Sequence, residues 1–167
     1  MIQRSFYILL LLVIAVHARG QITYEERLEQ LYKHTVPLIT DTKLNEEIGQ
    51  NKNMVILDTR SIREYNASHL KDAKFIDYDT FNKKMVKEID KEATVIVYCS
   101  VGYRSERIGE KLQKMGYKNV YNLYGGIFQW VNEDNPIINQ QGVKTDTVHT
   151  YNKTWSKWLK KGVKVYE

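Results

Sequence analysis

Thr94-Val95-Ile96-Val97-Tyr98-Cys99-Ser100-Val101-Gly102-Tyr103-Arg104-Ser105 is the stretch on which the fold turns. Its first five residues are nearly all apolar and rich in β-branched side chains, the composition of a strand buried on both faces, as in parallel sheets. From Ser105 onward, Ile108, Leu112 and Met115 recur at the spacing of an amphipathic helix, and Gly116 stands where a left-handed C-cap belongs. Asn119 to Leu123 reads as the next strand, so the segment is a βαβ unit.

The pattern repeats upstream. Met54-Val55-Ile56-Leu57 is a buried strand ending at Asp58, and Ser61-Ile62-Arg63-Glu64 is a capping box that opens a short helix. Val36 to Ile39 is a short apolar run, and Thr42 to Ile48 a short helix. Lys74-Phe75-Ile76 is a further strand, after which Asp79 is expected to cap a helix carrying Phe81, Met85 and Val86. Downstream, Gly125-Gly126 marks a turn before a helical stretch from Ile127 to Val131, which Pro136 ends. The expected fold is α/β, a parallel sheet covered by helices.

Flanking segments read differently. Within Ile22 to His34, Tyr24, Leu28, Leu31 and Tyr32 fall at helical spacing, so residues 21–35 are expected to form a helical extension laid on the domain. The tail, residues 138–167, shows no strand pattern. Tyr151, Trp155, Trp158 and Leu159 share one helical face, expected to pack as core and not to line a ligand site. Residues 1–20 resemble a removable leader, with Arg4 before an apolar run from Phe6 to Val16 that is too short to span a bilayer, then Ala18-Arg19-Gly20. Cleavage before Gln21 would leave an exported protein with no stable membrane anchor, the periplasm being expected ahead of the extracellular space; an uncleaved anchor is the alternative, against which stands the lack of any apolar stretch beyond Val16. Without Arg4 and Arg19 the formal charge of +5 becomes +3. The remaining lysines are scattered and carry no aromatic interleaving, so no nucleic-acid partner is expected. Oligomeric state is not legible.

The chain has a single cysteine, Cys99, so no intramolecular disulfide can form. A lone thiol in an oxidising compartment is either buried and inert or kept for its reactivity. Its setting favours the second. Cys99 lies between a buried strand and a helix N-terminus, where the backbone amides of Ser100, Val101, Gly102, Tyr103 and Ser105 can converge on the sulfur and favour a thiolate. Gly102 permits a tight turn, and Arg104 adds a fixed positive charge near an anionic substrate. Each feature alone has a bland explanation: a buried small side chain, an ordinary turn, a surface charge or a brace to a neighbouring carboxylate. Their coincidence at the carboxyl end of a parallel strand, where α/β ligands bind, points to a site.

These residues resemble a known family. Cys99-x-x-Gly102-x-Arg104-Ser105, together with Leu57-Asp58-Thr59-Arg60, Glu64-Tyr65, Ser68-His69-Leu70-Lys71-Asp72-Ala73 and Leu123-Tyr124-Gly125-Gly126-Ile127-Phe128-Gln129-Trp130, is similar to a rhodanese domain over residues 36–137. The resemblance implies a three-layer domain with a central parallel sheet flanked by helices. It implies a sulfurtransferase in which Cys99 carries sulfane sulfur as a persulfide and Arg104 acts beside it, with Asp58 and Arg60 supporting the loop. A small donor such as thiosulfate and a thiol or cyanide acceptor would suffice, without metal or organic cofactor. His69 sits in a turn where a structural role is expected ahead of a catalytic one. Two other functions fit the same elements. Cysteine-dependent phosphatases and arsenate reductases use such a nest for an oxyanion, but only residues 100–103 separate Cys99 from Arg104, a shorter cradle than tyrosine phosphatases have. A non-catalytic binding module of the same fold is the other, against which Cys99, Gly102 and Arg104 all stand.

Overall fold

The computed structural model describes residues 22–166. It divides after Gln30 into two compact units. In the first, helix α1 (Tyr24–Leu31) begins, and Thr23 and Glu26 cap it reciprocally: each backbone amide donates to the other's side chain, at 2.8 and 3.1 Å. The leader-like residues 1–20 lie outside the described residues. Among the described residues, no helix is long and apolar enough to cross a membrane.

The second unit is built on a five-stranded sheet. In chain order its elements are β1 (Leu38–Ile39), α2 (Asp41–Glu47), β2 (Met54–Asp58), α3 (Ile62–Ala67), β3 (Lys74–Phe75), a 3-10 turn (Lys83–Val86), β4 (Thr94–Tyr98), α4 (Tyr103–Lys114), β5 (Asn119–Leu123) and α5 (Gly126–Asn132). The strand order is β1-β5-β4-β2-β3, and every pairing is parallel. The fold is therefore the α/β architecture expected, with β4 at its centre. Val95, Ile96, Val97 and Tyr98 are all buried, as an apolar run enclosed from both faces must be. Val95 and Val97 share a cluster with Val120 of β5 and with Ile108 and Leu112, so the α4 stripe packs as its spacing requires. Gly116, at φ 89°, follows the end of α4 as expected.

Two expectations are corrected. Asp79 does not cap the turn after β3. Its own amide and that of Thr80 donate to Asp77, at 2.8 and 3.0 Å, and Asn82 is the N-cap, which leaves only a 3-10 turn.

The tail does contain strands. β6 (Ile137–Ile138) pairs antiparallel with β7 (Lys144–Thr145), and β8 (Thr147–His149) pairs in parallel with β9 (Val163–Val165) across the one-turn helix α6 (Lys153–Ser156). These strands have two or three residues each, too few for periodicity to register. The expected aromatic helical face breaks up in consequence. Trp158 and Leu159 are buried, whereas Tyr151 lies before α6 and is 55% exposed.

Candidate active site

Cys99 follows β4 directly, at the carboxyl edge of the sheet where the crevice of an open α/β sheet opens. The residue is buried, yet it lines a pocket of about 350 Å³ with Ser100, Val101, Tyr103, Arg104, Tyr78, Asp79, Leu31, Tyr151 and Trp155. The Gly102 amide donates to the Cys99 Sγ at 3.2 Å. Gly102 has φ 95°, and α4 begins at the next residue, so the helix N-terminus faces the same loop.

The loop is fastened from behind. The Cys99 carbonyl accepts from the Ile127 amide at 2.9 Å and the Ser100 carbonyl from the Phe128 amide at 3.1 Å. The Val101 carbonyl accepts from the Tyr32 hydroxyl at 2.7 Å, and the Gly102 carbonyl from the Asn122 side chain at 3.0 Å. Four consecutive carbonyls are thus held by other elements. In a trans peptide the N–H points opposite to its own C=O, so the amides of residues 100–103 are aimed away from those fasteners.

Glycine is required at two places here. A Cβ on Gly126, which has φ 57°, would lie 2.3 Å from the Cys99 carbonyl oxygen; one on Gly102 would lie 2.3 Å from the Tyr32 hydroxyl. That hydroxyl also accepts from the Gly125 amide at 2.9 Å, so Tyr32 ties the Cys99 loop to the Gly125-Gly126 turn. Burial first, partly opposed by that amide, raises the Tyr32 pKa and keeps the phenol protonated as a donor.

Arg104 is not a free cation. Its guanidinium forks onto Glu64 with contacts of 2.9 and 2.6 Å, and a further contact reaches Ser100 Oγ at 3.1 Å. Ser100 Oγ in turn donates to Glu64 at 2.8 Å. Burial would raise the Glu64 pKa, but the Arg104 hydrogen bonds and charge, with Arg60 and the Ser61 amide, prevail and hold it down at about 2. Arg104 moves the other way: burial lowers its pKa, while the Glu64 hydrogen bond and charge help to outweigh that and raise it. Glu64 was legible as the acidic member of the capping box, which is present. Its bond to Arg104 was not, because the pair is 40 positions apart.

Asp58 and Arg60 are fully buried and are not among the pocket-lining residues. Arg60 pairs with Asp58 at 2.6 Å and donates to the Ser68 carbonyl at 2.5 Å; the Tyr98 hydroxyl donates to Asp58 at 2.6 Å. The cluster locks the end of β2 to the end of β4, one residue before Cys99. Ser105 lies beneath the loop and donates to Asn122 at 2.7 Å. His69 stacks on Tyr65 with ring centroids 3.9 Å apart, and its Nδ1 lies 3.0 Å from the Tyr65 carbonyl, a structural placement.

The tail supplies part of the pocket. Tyr151 has φ 64°, an outlier for a bulky side chain, and the Arg104 guanidinium lies over its ring at 5.5 Å. Trp155, on α6, lines the same cavity. Expecting both as core overlooked that a broken helix presents its aromatics in different directions.

The family model of the rhodanese-like domain matches residues 40–133. Over 104 residues the chain is 35% identical to a tRNA uridine(34) hydroxylase of Hamiltonella defensa, a match covering 59% of this chain and 29% of that protein, so it spans less than a third of that relative's length. Among solved structures, the BH2092 protein of Bacillus halodurans superposes with a TM-score of 0.59 at 22% identity, covering 72% of this chain and 89% of that one. A rhodanese-related protein of Thermoplasma volcanium gives a TM-score of 0.54 at 26% identity, over 61% and 97%. With a parallel sheet, a cysteine loop at its carboxyl edge and a family match over more than half its residues, the chain belongs to the rhodanese-like domain family.

Proposed function

We propose that the protein is a sulfurtransferase that moves sulfane sulfur from a donor such as thiosulfate to a thiol or cyanide acceptor through a Cys99 persulfide. The observation that carries the reading is the Gly102 amide donating to a sulfur that opens onto a pocket. The Cys99 thiolate attacks the outer sulfur of thiosulfate, the S–S bond breaks, and sulfite leaves with the bonding pair. Cys99 then carries S–S⁻, and a cyanide or thiolate acceptor removes the outer sulfur and returns the thiolate.

In this reading residues 100–105 form a cradle whose amide dipoles meet the charge on sulfur, and Arg104 contributes as a fixed, partly neutralised cation beside it. Asp58 and Arg60 support the strand end. A phosphatase reading is disfavoured by the short loop and by Glu64, whose carboxylate already occupies the guanidinium fork that a phosphoryl group would need. The tRNA chemistry in the relative's name is not carried over, since the match covers 29% of that protein. Export is part of the proposal and rests on residues 1–20; N-terminal sequencing of the natural protein would read it.

Intact mass after incubation with thiosulfate tests the central step. One added sulfur is expected on the wild type and none on Cys99→Ser, which should retain its unfolding midpoint because the hydroxyl is close in size to the thiol. Thiocyanate production by Cys99→Ser at the wild-type rate would overturn the reading.

A further inference from the structure

We propose that Tyr151 and Trp155 are specificity-determining residues that make the Cys99 pocket select a sulfane-sulfur donor carrying an aromatic or apolar group. The inference rests on the sulfur-transfer reading and narrows it to an organic class of donor.

Size is the first argument. The pocket's 350 Å³ is on the order of ten times a water's share of liquid volume, far more than a small inorganic anion needs. Lining chemistry is the second. Apart from Cys99, Ser100, Asp79 and Arg104, the cavity is walled by Tyr78, Tyr103, Tyr151, Trp155, Leu31 and Val101. An apolar wall with few polar groups is the usual make-up of a site for an organic ligand.

Charge is the third. The lining contains one cation, Arg104, which Glu64 grips in a fork, and one carboxylate, Asp79. A multiply charged donor would find little surplus positive charge there. The aromatic rings also have cations over them: Arg104 at 5.5 Å from the Tyr151 ring and Arg107 at 5.1 Å from the Tyr103 ring. Both distances are within cation–π range, so the cations already face aromatic surface.

The tail's construction is the fourth. Tyr151 is exposed yet held at a positive φ, with its amide donating to His149 Nδ1 at 3.1 Å. Trp155 is set on α6 by Asn152, whose side chain accepts from the Trp155 amide at 3.1 Å. The parallel β8–β9 pairing closes the segment around them. Backbone constraint of this kind, spent on presenting an exposed aromatic over a pocket, is typical of ligand clamps. Both residues lie outside the family match at 40–133, so this wall belongs to this chain's own tail.

The chemistry balances with a thiosulfonate. The Cys99 thiolate attacks the terminal sulfur of R–SO₂–S⁻, the S–S bond breaks, and the sulfinate R–SO₂⁻ leaves with the electron pair. Cyanide then takes the outer sulfur from the persulfide as thiocyanate.

The test compares benzenethiosulfonate with methanethiosulfonate, which share the reacting group and differ in the aryl ring, using the full chain, cyanide as acceptor and thiocyanate as readout. The ratio of their kcat/KM values, divided by the same ratio for free cysteine, should be at least tenfold in the wild type. Trp155→Ala and Tyr151→Ala should each reduce that excess at least threefold, their combination should bring it near one, and Trp155→Phe should keep most of it. Partial unfolding lowers both rates together and leaves the ratio unmoved. No excess in the wild type, or an excess that survives in the double variant, would overturn the inference while leaving sulfur transfer standing. Absence of thiocyanate with both thiosulfonates and with thiosulfate would instead remove the sulfur-transfer reading and this inference with it.

Discussion

Glu64 grips Arg104 through both terminal guanidinium nitrogens, Nη1 and Nη2, at 2.9 and 2.6 Å, while the same carboxylate caps the first turn of α3. One buried acid therefore joins the helix after β2 to the loop after β4. Removing either partner leaves a charge with poor solvation on the other side.

Arg104→Ala should accordingly lower stability before it lowers donor use. Breaking a largely buried, forked pair is expected to cost about 2–4 kcal/mol. Arg104→Lys should recover part of this, since an ammonium keeps the charge and loses the fork. Urea midpoints measured beside thiosulfate kcat/KM separate the two effects. A kinetic loss with an unshifted midpoint would show that Arg104 acts mainly on the donor.

Acid should unfold the protein partly through Glu64. Its folded pKa of about 2 lies below the ordinary carboxylate value, so the folded state binds this proton less readily than the unfolded chain does. The stabilisation is fully present above about pH 4.5 and fades as pH falls towards 2. A shift of this size corresponds to roughly 3 kcal/mol. Glu64→Gln should be less stable at neutral pH and should lose less on acidification; parallel urea titrations from pH 6 to pH 2.5 give the comparison. Equal acid slopes in the two proteins would dismiss Glu64 as the titrating group.

Tyr32→Phe removes one hydroxyl that serves two backbone groups. The Val101 carbonyl loses its donor and the Gly125 amide its acceptor, at an expected cost of about 1–3 kcal/mol. The Val101 carbonyl belongs to the same peptide unit as the Gly102 amide that meets the sulfur, so a loosened plane should lower kcat on the order of tenfold, with KM less affected. Stopped-flow turnover at saturating donor reads this directly; unchanged kcat would show that the loop holds its geometry without Tyr32.

Gly126→Ala is expected to damage the site without touching its chemistry. The new Cβ would press on the Cys99 carbonyl at a positive φ, whereas one on Gly116, at φ 89°, meets open space. Strain alone should make Gly116→Ala cost about 1 kcal/mol, and Gly126→Ala should exceed it by at least as much again. Denaturant midpoints of the two variants decide, and equal losses would show that the turn yields.

The legible parts of this chain were those whose physics is local. β2 and β4 announced themselves because strands enclosed on both faces need near-continuous apolar runs, and α4 because its buried stripe follows the helical period, which left β5 as the strand that completes the βαβ unit. Cys99, Gly102 and Arg104 stood out by their order in one loop. The illegible parts were contacts between distant segments: Glu64 with Arg104, Tyr32 with Val101, and Tyr151 and Trp155 beside Cys99. No local period encodes such meetings. Asp79 was misread because Asp and Asn compete as caps over a few positions, and Asn82 took the role.

The four fastened carbonyls of residues 99–102 have one more consequence. In water, adding charge to a sulfur turns surrounding dipoles, and removing the charge turns them back, so each passage costs solvent reorganisation. Here Ile127, Phe128, Tyr32 and Asn122 grip the peptide planes from outside, and those dipoles cannot follow the charge. The sulfur would meet nearly the same field as free thiolate, during attack and as persulfide. On the sulfur-transfer reading, a site so clamped would carry little dipole reorganisation cost in either half of the exchange.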